Sequence, residues 1–122
     1  MNGSDSGSYV PVCTKVDNIV DVSVQSAFWT REGNFVDVDI AAIVRCTAGE
    51  NAPAQVDFSL PVPSDLVQYC DVIGHGWMQK LAPSDGDSWI MGDSANNRAS
   101  MSFFSPGTNS RAWFLHFRYL IR

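Results

Sequence analysis

The chain has 122 residues, 8 Lys and Arg against 13 Asp and Glu, and a formal net charge of −5, the size of one domain that can bury roughly two-thirds of the surface its unfolded chain exposes. The Arg residues are dispersed from Arg31 to Arg122, which argues against a nucleic-acid partner, and no run approaches the ~18 apolar residues of a membrane-spanning helix. Glu occurs only at Glu32 and Glu50 and Lys only at Lys15 and Lys80; with helix formers this scarce and β-branched and aromatic residues abundant, an all-β domain is favoured.

Residues Met1 to Ser8 are Gly, Ser, Asn and Asp almost throughout, the composition of a flexible N-terminal arm, so the domain proper is expected over 9–122. Tyr9 to Thr14 reads as a first strand, placed at an edge by Pro11, which cannot donate to a ladder. From Asn18 to Gln25, Val20, Val22 and Val24 alternate with polar residues. The clearest element is the hairpin Phe28 to Ile40. Gly33-Asn34 provides a tight turn of primed type, and Val36, Val38, Ile40, Ala42 and Val44 follow it with a period of two. A loop is expected from Thr47 to Pro53.

Gln55 to Val62 alternates Val56, Phe58, Leu60 and Val62 with polar residues and stops at Pro61 and Pro63. Val67 to Met78 is extended, and its Gly74 and Gly76, flanking His75, mark a bulge, a bend or a close backbone approach. Turns over Ser84 to Ser88 and Gly92 to Asn97 bracket a short strand at Trp89-Ile90-Met91. Arg98 to Ser105 presents Ala99, Met101 and Phe103 on one face. In the final strand, Arg111 to Ile121, Trp113, Leu115, Phe117, Tyr119 and Ile121 lie on one face and Phe114, His116, Arg118 and Leu120 on the other. Large residues on both faces make this strand central, or set its second face against a partner chain. Eight or nine short strands at this spacing predict an antiparallel β-sandwich of jelly-roll type.

The sequence is poor in catalytic signals. His75 and His116 have no G-x-S-x-G elbow or other nucleophile context, and surface histidines are the plainer reading. Asp85-Gly86-Asp87 lacks the other ligands of a calcium loop and reads as a turn. Asp37 and Asp39 share a strand face, where alternation alone predicts solvent-facing carboxylates. Cys13, Cys46 and Cys70 are an odd count with no C-x-x-C pair, behaviour expected of small core hydrophobes. Neither a metal nor a cofactor is implied. Trp29, Trp77, Trp89 and Trp113 with Tyr9, Tyr69 and Tyr119 offer a sugar-stacking platform, against which stands ordinary use of aromatics in cores and interfaces. Met1 to Asp5 lacks the basic start of a secretory signal, so synthesis is expected in a cytoplasm, and the sequon Asn2-Gly3-Ser4 is read as a chance match.

Five short motifs in order carry a resemblance: Tyr9-Val10-Pro11 with Thr14, Val16 and Asn18; Phe28-Trp29-Thr30-Arg31-Glu32-Gly33-Asn34 with Val36 and Val38; Leu60-Pro61; Asn97 to Phe103; and Asn109, Arg111, Phe114, Phe117, Tyr119 and Ile121. Together they cover most of the chain and resemble a small β domain recurrent in structural proteins of tailed bacteriophages. The resemblance implies a compact β-sandwich, often a homotrimer, displayed on the virion surface after synthesis in the bacterial host cytoplasm, without enzymatic activity, metal or cofactor. The absence of heptads, repeats or a long linker favours a capsid decoration (cement) protein on the major capsid protein; the alternative is the receptor-binding tip of a tail or head fibre, an adhesin for a host-surface glycan. Expected contacts between chains are Trp113, Phe114, Arg118, Tyr119 and Leu120, and expected contacts to capsid or another partner are Asn2, Asp5 and Tyr9. His75, Trp77 and Trp89 mark an expected ligand loop. The cysteines and the segment from Trp77 to Trp89 depart from the family pattern, so no ligand specificity carries over to that loop.

Overall fold

The computed structural model of the chain describes residues 4–47, 49–79 and 87–122. Nine strands lie among them: β1 Ser4–Ser8, β2 Cys13–Asp17, β3 Ile19–Glu32, β4 Phe35–Cys46, β5 Pro53–Ser59, β6 Val72–Met78, β7 Asp87–Asp93, β8 Arg98–Phe104 and β9 Arg111–Leu120. One 3-10 turn, Tyr69–Asp71, precedes β6. The fold is all-β and antiparallel, as composition and alternation predict.

All nine strands hydrogen-bond into one sheet in the order β1-β3-β4-β9-β6-β7-β8-β5-β2. The sheet is curled rather than flat. Phe103 of β8 and Trp113 of β9 belong to strands three places apart, which in a flat sheet would be about 14 Å, yet their rings meet at 4.8 Å across the core. The two facing layers expected of a sandwich are thus opposite halves of one half-barrel. Its total exposed area, 6502 Å², is close to the ~6,500 Å² of a compact monomer of this size, so the core closes without help from another chain.

Alternation explains the core. Val36, Val38, Ile40, Ala42 and Val44 of β4 and Trp113, Leu115, Phe117 and Tyr119 of β9 are buried on the concave face, opposite Val56 and Phe58 of β5 and Ala99, Met101 and Phe103 of β8. Each large side chain here contributes roughly 1.5–3 kcal/mol by leaving water. β9 is central, between β4 and β6. β3 keeps its alternation only by changing phase. A register shift between Val24 and Ser26 moves the inward set from even to odd positions, so that Ala27 is buried and Trp29 packs against the core.

Backbone geometry places the turns. Glu32 pairs with Phe35 around Gly33-Asn34; only Gly33 has positive φ, +62°, the sign pattern of a type II′ turn. Gly74 and Gly76 mark a close backbone approach. A Cβ at Gly74 would collide with the His116 carbonyl and the Phe117 side chain, and one at Gly76 would lie 2.5 Å from the Ser88 hydroxyl.

The polar N-terminus differs from the expected arm. Ser4–Ser8 is an edge strand paired with Phe28 to Glu32; pairing needs only backbone groups, so an absence of apolar side chains does not prevent it. Gly7 is fitted to its place, since a Cβ there would sit 3.2 Å from the Trp29 indole nitrogen. Residues 9–12 then cross to the opposite edge of the sheet. Tyr9 N–H donates to the Ala27 carbonyl, Tyr9 hydroxyl to the Ser59 carbonyl, and Val12 N–H to the Ser59 hydroxyl, before β2 pairs with β5. The expected first strand therefore begins later, at Cys13, with Pro11 in the crossing.

Candidate functional site

Strand register builds the candidate site on the convex face. Across the sheet, Phe28 faces Asp39, Asp39 faces His116, His116 faces His75 and His75 faces Trp89. The next row is Ser26, Ala41, Phe114, Trp77 and Asp87. Because successive side chains point to opposite faces, every one of these residues projects away from the core. Phe28, Trp77, Trp89, Phe104 and Phe114 are each 41–57% exposed. For a domain whose core is already closed, so many exposed rings on one face make this the candidate interaction surface.

Polar groups sit among the rings. His116 Nδ1 lies 2.8 Å from Asp39 Oδ1 and its Nε2 lies 3.6 Å from Asp37 Oδ1, so the Asp pair seen in the sequence brackets a histidine from the neighbouring strand. Arg118 approaches Asp37 at 3.9 Å and holds its guanidinium 4.4 Å from the centroid of the Phe35 ring. Trp77 is tilted against Phe114 at 6.1 Å and against His75 at 5.4 Å, and Trp89 meets Phe104 edge-on at 6.1 Å.

Two depressions on this face are relevant. One, of about 190 Å³, runs between Phe28 on one side and Phe114 with Trp77 on the other, with Ala41 at its floor and Ser26 and Asp39 at its rim. The other, of about 200 Å³, is bounded by Phe35, Ile73, Leu120, Arg118 and Cys70. Ile73 is 69% exposed there. Among the described residues no group of three or more His, Cys, Asp and Glu is arranged to hold a metal ion.

The predicted site residues divide. Phe114, Arg118 and Leu120 lie on the convex face, but Trp113 and Tyr119 do not. Both are only 1% exposed, buried on the core face, where a second chain cannot reach them. Tyr119 instead braces a loop, its hydroxyl donating to the Val62 carbonyl and accepting from the Val62 N–H. Asp5 is exposed and accepts from the Ser6 amide. Tyr9, half-buried, works within the chain as a tie across the seam. Asn2 lies outside the described residues.

His75, Trp77 and Trp89, expected to flank a ligand loop, stand on β6 and β7, in the extended segments expected over Val67 to Met78 and Trp89 to Met91; the turn expected between them falls mostly outside the described residues. The platform of four Trp residues also separates, with Trp113 in the core, Trp29 packed against it, and only Trp77 and Trp89 outside. Ala41 follows from the alternation of β4 itself, but sequence reasoning missed Phe28 as a surface residue, and the signal that would have found it is the phase change in β3, which turns Phe28 outward.

A second polar cluster near the β2 edge is structural. Arg98 donates to the Thr14 hydroxyl at 2.6 Å and to Asp93 at 3.4 Å, and its Nε lies 3.6 Å from Asp57. Burial raises the Asp57 pKa, while the Asn96 hydrogen bond first, with others, lowers that of Asp93. Asn97, at φ +55°, accepts from the Leu66 amide. Thr14, Asn97 and Arg98, which carry part of the resemblance, therefore act in holding the fold together.

No family model, curated protein or solved structure matches this chain.

Proposed function

We propose that the chain is a non-enzymatic structural protein of a tailed-bacteriophage virion, a decoration protein that binds the major capsid protein as a homotrimer on the head surface. The observation that carries this reading is the open apolar groove formed by Phe35, Ile73 and Leu120 beside Arg118. The core of the single chain is already closed, so this surface is left over for contact with other chains. A stable contact excludes water from roughly 1,200–2,000 Å² in total, and this end of the convex face, extended by exposed Tyr69 and Val67, provides an apolar centre for one. The five ordered motifs supply the virion context by resemblance.

The non-enzymatic reading is supported by His116. Both of its ring nitrogens face carboxylates, whereas a catalytic base directs one nitrogen at the nucleophile it deprotonates. A second reading, the receptor-binding tip of a tail or head fibre, is favoured by the rings of Trp77 and Phe114.

Localisation in intact particles tests the proposal. Antibody labelling or density over the whole head, with loss of head binding by an Ile73→Glu, Leu120→Glu variant that still folds, is the expected result. Copies confined to the tail would transfer the protein to the fibre reading, and absence from purified particles would overturn both.

A further inference from the structure

We infer that the slot between Phe28 and the Phe114–Trp77 pair binds a single sugar ring of a neutral glycan. The inference goes beyond decoration of a particle and holds wherever on a virion the protein sits, because it rests on a different part of the convex face from the Phe35–Ile73–Leu120 groove.

The slot follows from the register. Phe28 of β3, in the Asp39 row, and Phe114 of β9, in the Ala41 row two residues along, stand diagonally on either side of β4, about 12 Å apart in backbone terms, and between them β4 presents Asp39 and Ala41. A larger residue at 41 would fill the gap. With alanine there, a volume of about 190 Å³ remains, several water volumes, which suits one ring with its hydroxyls and is too small for a protein loop. Trp77 extends the Phe114 wall at 6.1 Å. Aromatic faces pack against the C–H faces of a sugar while excluding water from them.

The rim decides the chemistry of the occupant. Ser26 has a hydroxyl and Asp39 a carboxylate at the edge of the slot, and together they donate to and accept from hydroxyl groups. An aromatic cage with an acidic rim also suits a quaternary ammonium ion. Here, however, the Ser26 hydroxyl and the Asp39 carboxylate offer hydrogen-bonding groups that a sugar's hydroxyls use and that a quaternary ammonium, which has no N–H, leaves unmatched. Asp37 and Asp39 together with the net charge of −5 oppose acidic sugars by repulsion.

The test is direct binding by the full chain, followed by NMR and saturation transfer with methyl glycosides of neutral hexoses and N-acetylhexosamines, then a glycan array. Saturable binding of at least one neutral glycan is expected, weakened about tenfold or more by Phe114→Ala and by Trp77→Ala. Ala41→Leu, which fills the slot and leaves its walls in place, abolishes binding, and Trp89→Ala, an exposed ring outside the slot, leaves it unchanged. Choline bound in preference to every sugar, binding that survives Ala41→Leu in a folded variant, or no saturable binding across the array would each overturn the inference.

Discussion

The Tyr9 hydroxyl donates to the Ser59 carbonyl at 3.1 Å, joining the end of β1 to the end of β5 where, among the described residues, no strand pairing bridges the curled sheet. Tyr9→Phe keeps the ring and removes this bond. A net loss of about 1 kcal/mol is expected, read as a lower urea midpoint with an unchanged slope. An unaltered midpoint would mean that ring packing and the backbone bonds of residues 9–12 close the seam alone.

Asp71 and the C-terminal Arg122 form a two-pronged pair, Nε to Oδ2 and Nη2 to Oδ1, each at 3.1 Å. Oδ2 also accepts from the Val67 and Gln68 amides. Arg122 first, then these amides, hold the Asp71 carboxyl below the usual carboxylate range. Stability from this group is therefore present above an ordinary carboxylate pKa of about 3.9 and declines as pH falls through its lower folded-state value. Asp71→Asn should lower the melting temperature at pH 7 and flatten its fall at acid pH; parallel curves for the two proteins would refute the assignment.

At the other end of the pH range, burial pushes the Tyr119 phenol up to about 12. Below pH ~10 the group is neutral in both states and adds no pH dependence. Above that the unfolded chain ionises first, so this contribution is lost as pH rises toward 12. Tyr119→Phe should remove this part of the alkaline slope in urea titrations between pH 9 and 12 while costing stability at pH 7, because Val62 loses both bonds to the hydroxyl.

Arg98 is the counter-charge for Asp57, which is 1% exposed, and for Asp93. Removing one member of a buried ion pair leaves an uncompensated charge, so Arg98→Ala is expected to cost about 3 kcal/mol. Arg98→Lys should recover only part of this, since an ammonium cannot reach Thr14 and both carboxylates with a planar fork. Equal stability of the Lys variant and the native chain would show that charge alone suffices.

Gly74 and Gly33 are required for different reasons, and alanine at each separates them. At Gly74 the added Cβ meets backbone and side-chain atoms of β9, an overpacking that costs about 1–3 kcal/mol. At Gly33 nothing stands within 4 Å, so only the positive φ resists substitution, at about 1 kcal/mol. Chemical denaturation should rank Gly74→Ala as the more damaging; the reverse order would contradict the close approach of β6 and β9.

Much of this fold was legible along the chain because strand alternation is a local property. Val36 to Val44, Ala99 to Phe103 and Trp113 to Tyr119 each declare a buried face within their own residues, and Gly33-Asn34 sets the one hairpin whose register needs no outside information. The polar edge strand Ser4–Ser8 was not legible. Its pairing uses backbone groups that every sequence possesses, and the partner edge at Phe28 to Glu32 lies twenty or more residues away. Trp113 and Tyr119 fitted an interface as well as a core, since a large aromatic in a central strand is written the same way in either case.

The sequence by itself determined the all-β class and marked the last strand and Gly74 as special positions, because period, residue size and the absence of a Cβ act at the residue concerned; that the strand is central and that Gly74 lets β6 approach β9 were decided by the pairing. Only the tertiary structure decided that the nine strands form one curled sheet, and that Asp37 and Asp39 bracket His116. It also decided that Phe28 and Phe114 line one depression on either side of β4. These are relations between strands distant in the chain, fixed by a register shift in β3 and by the order of pairing, and no single segment contains them.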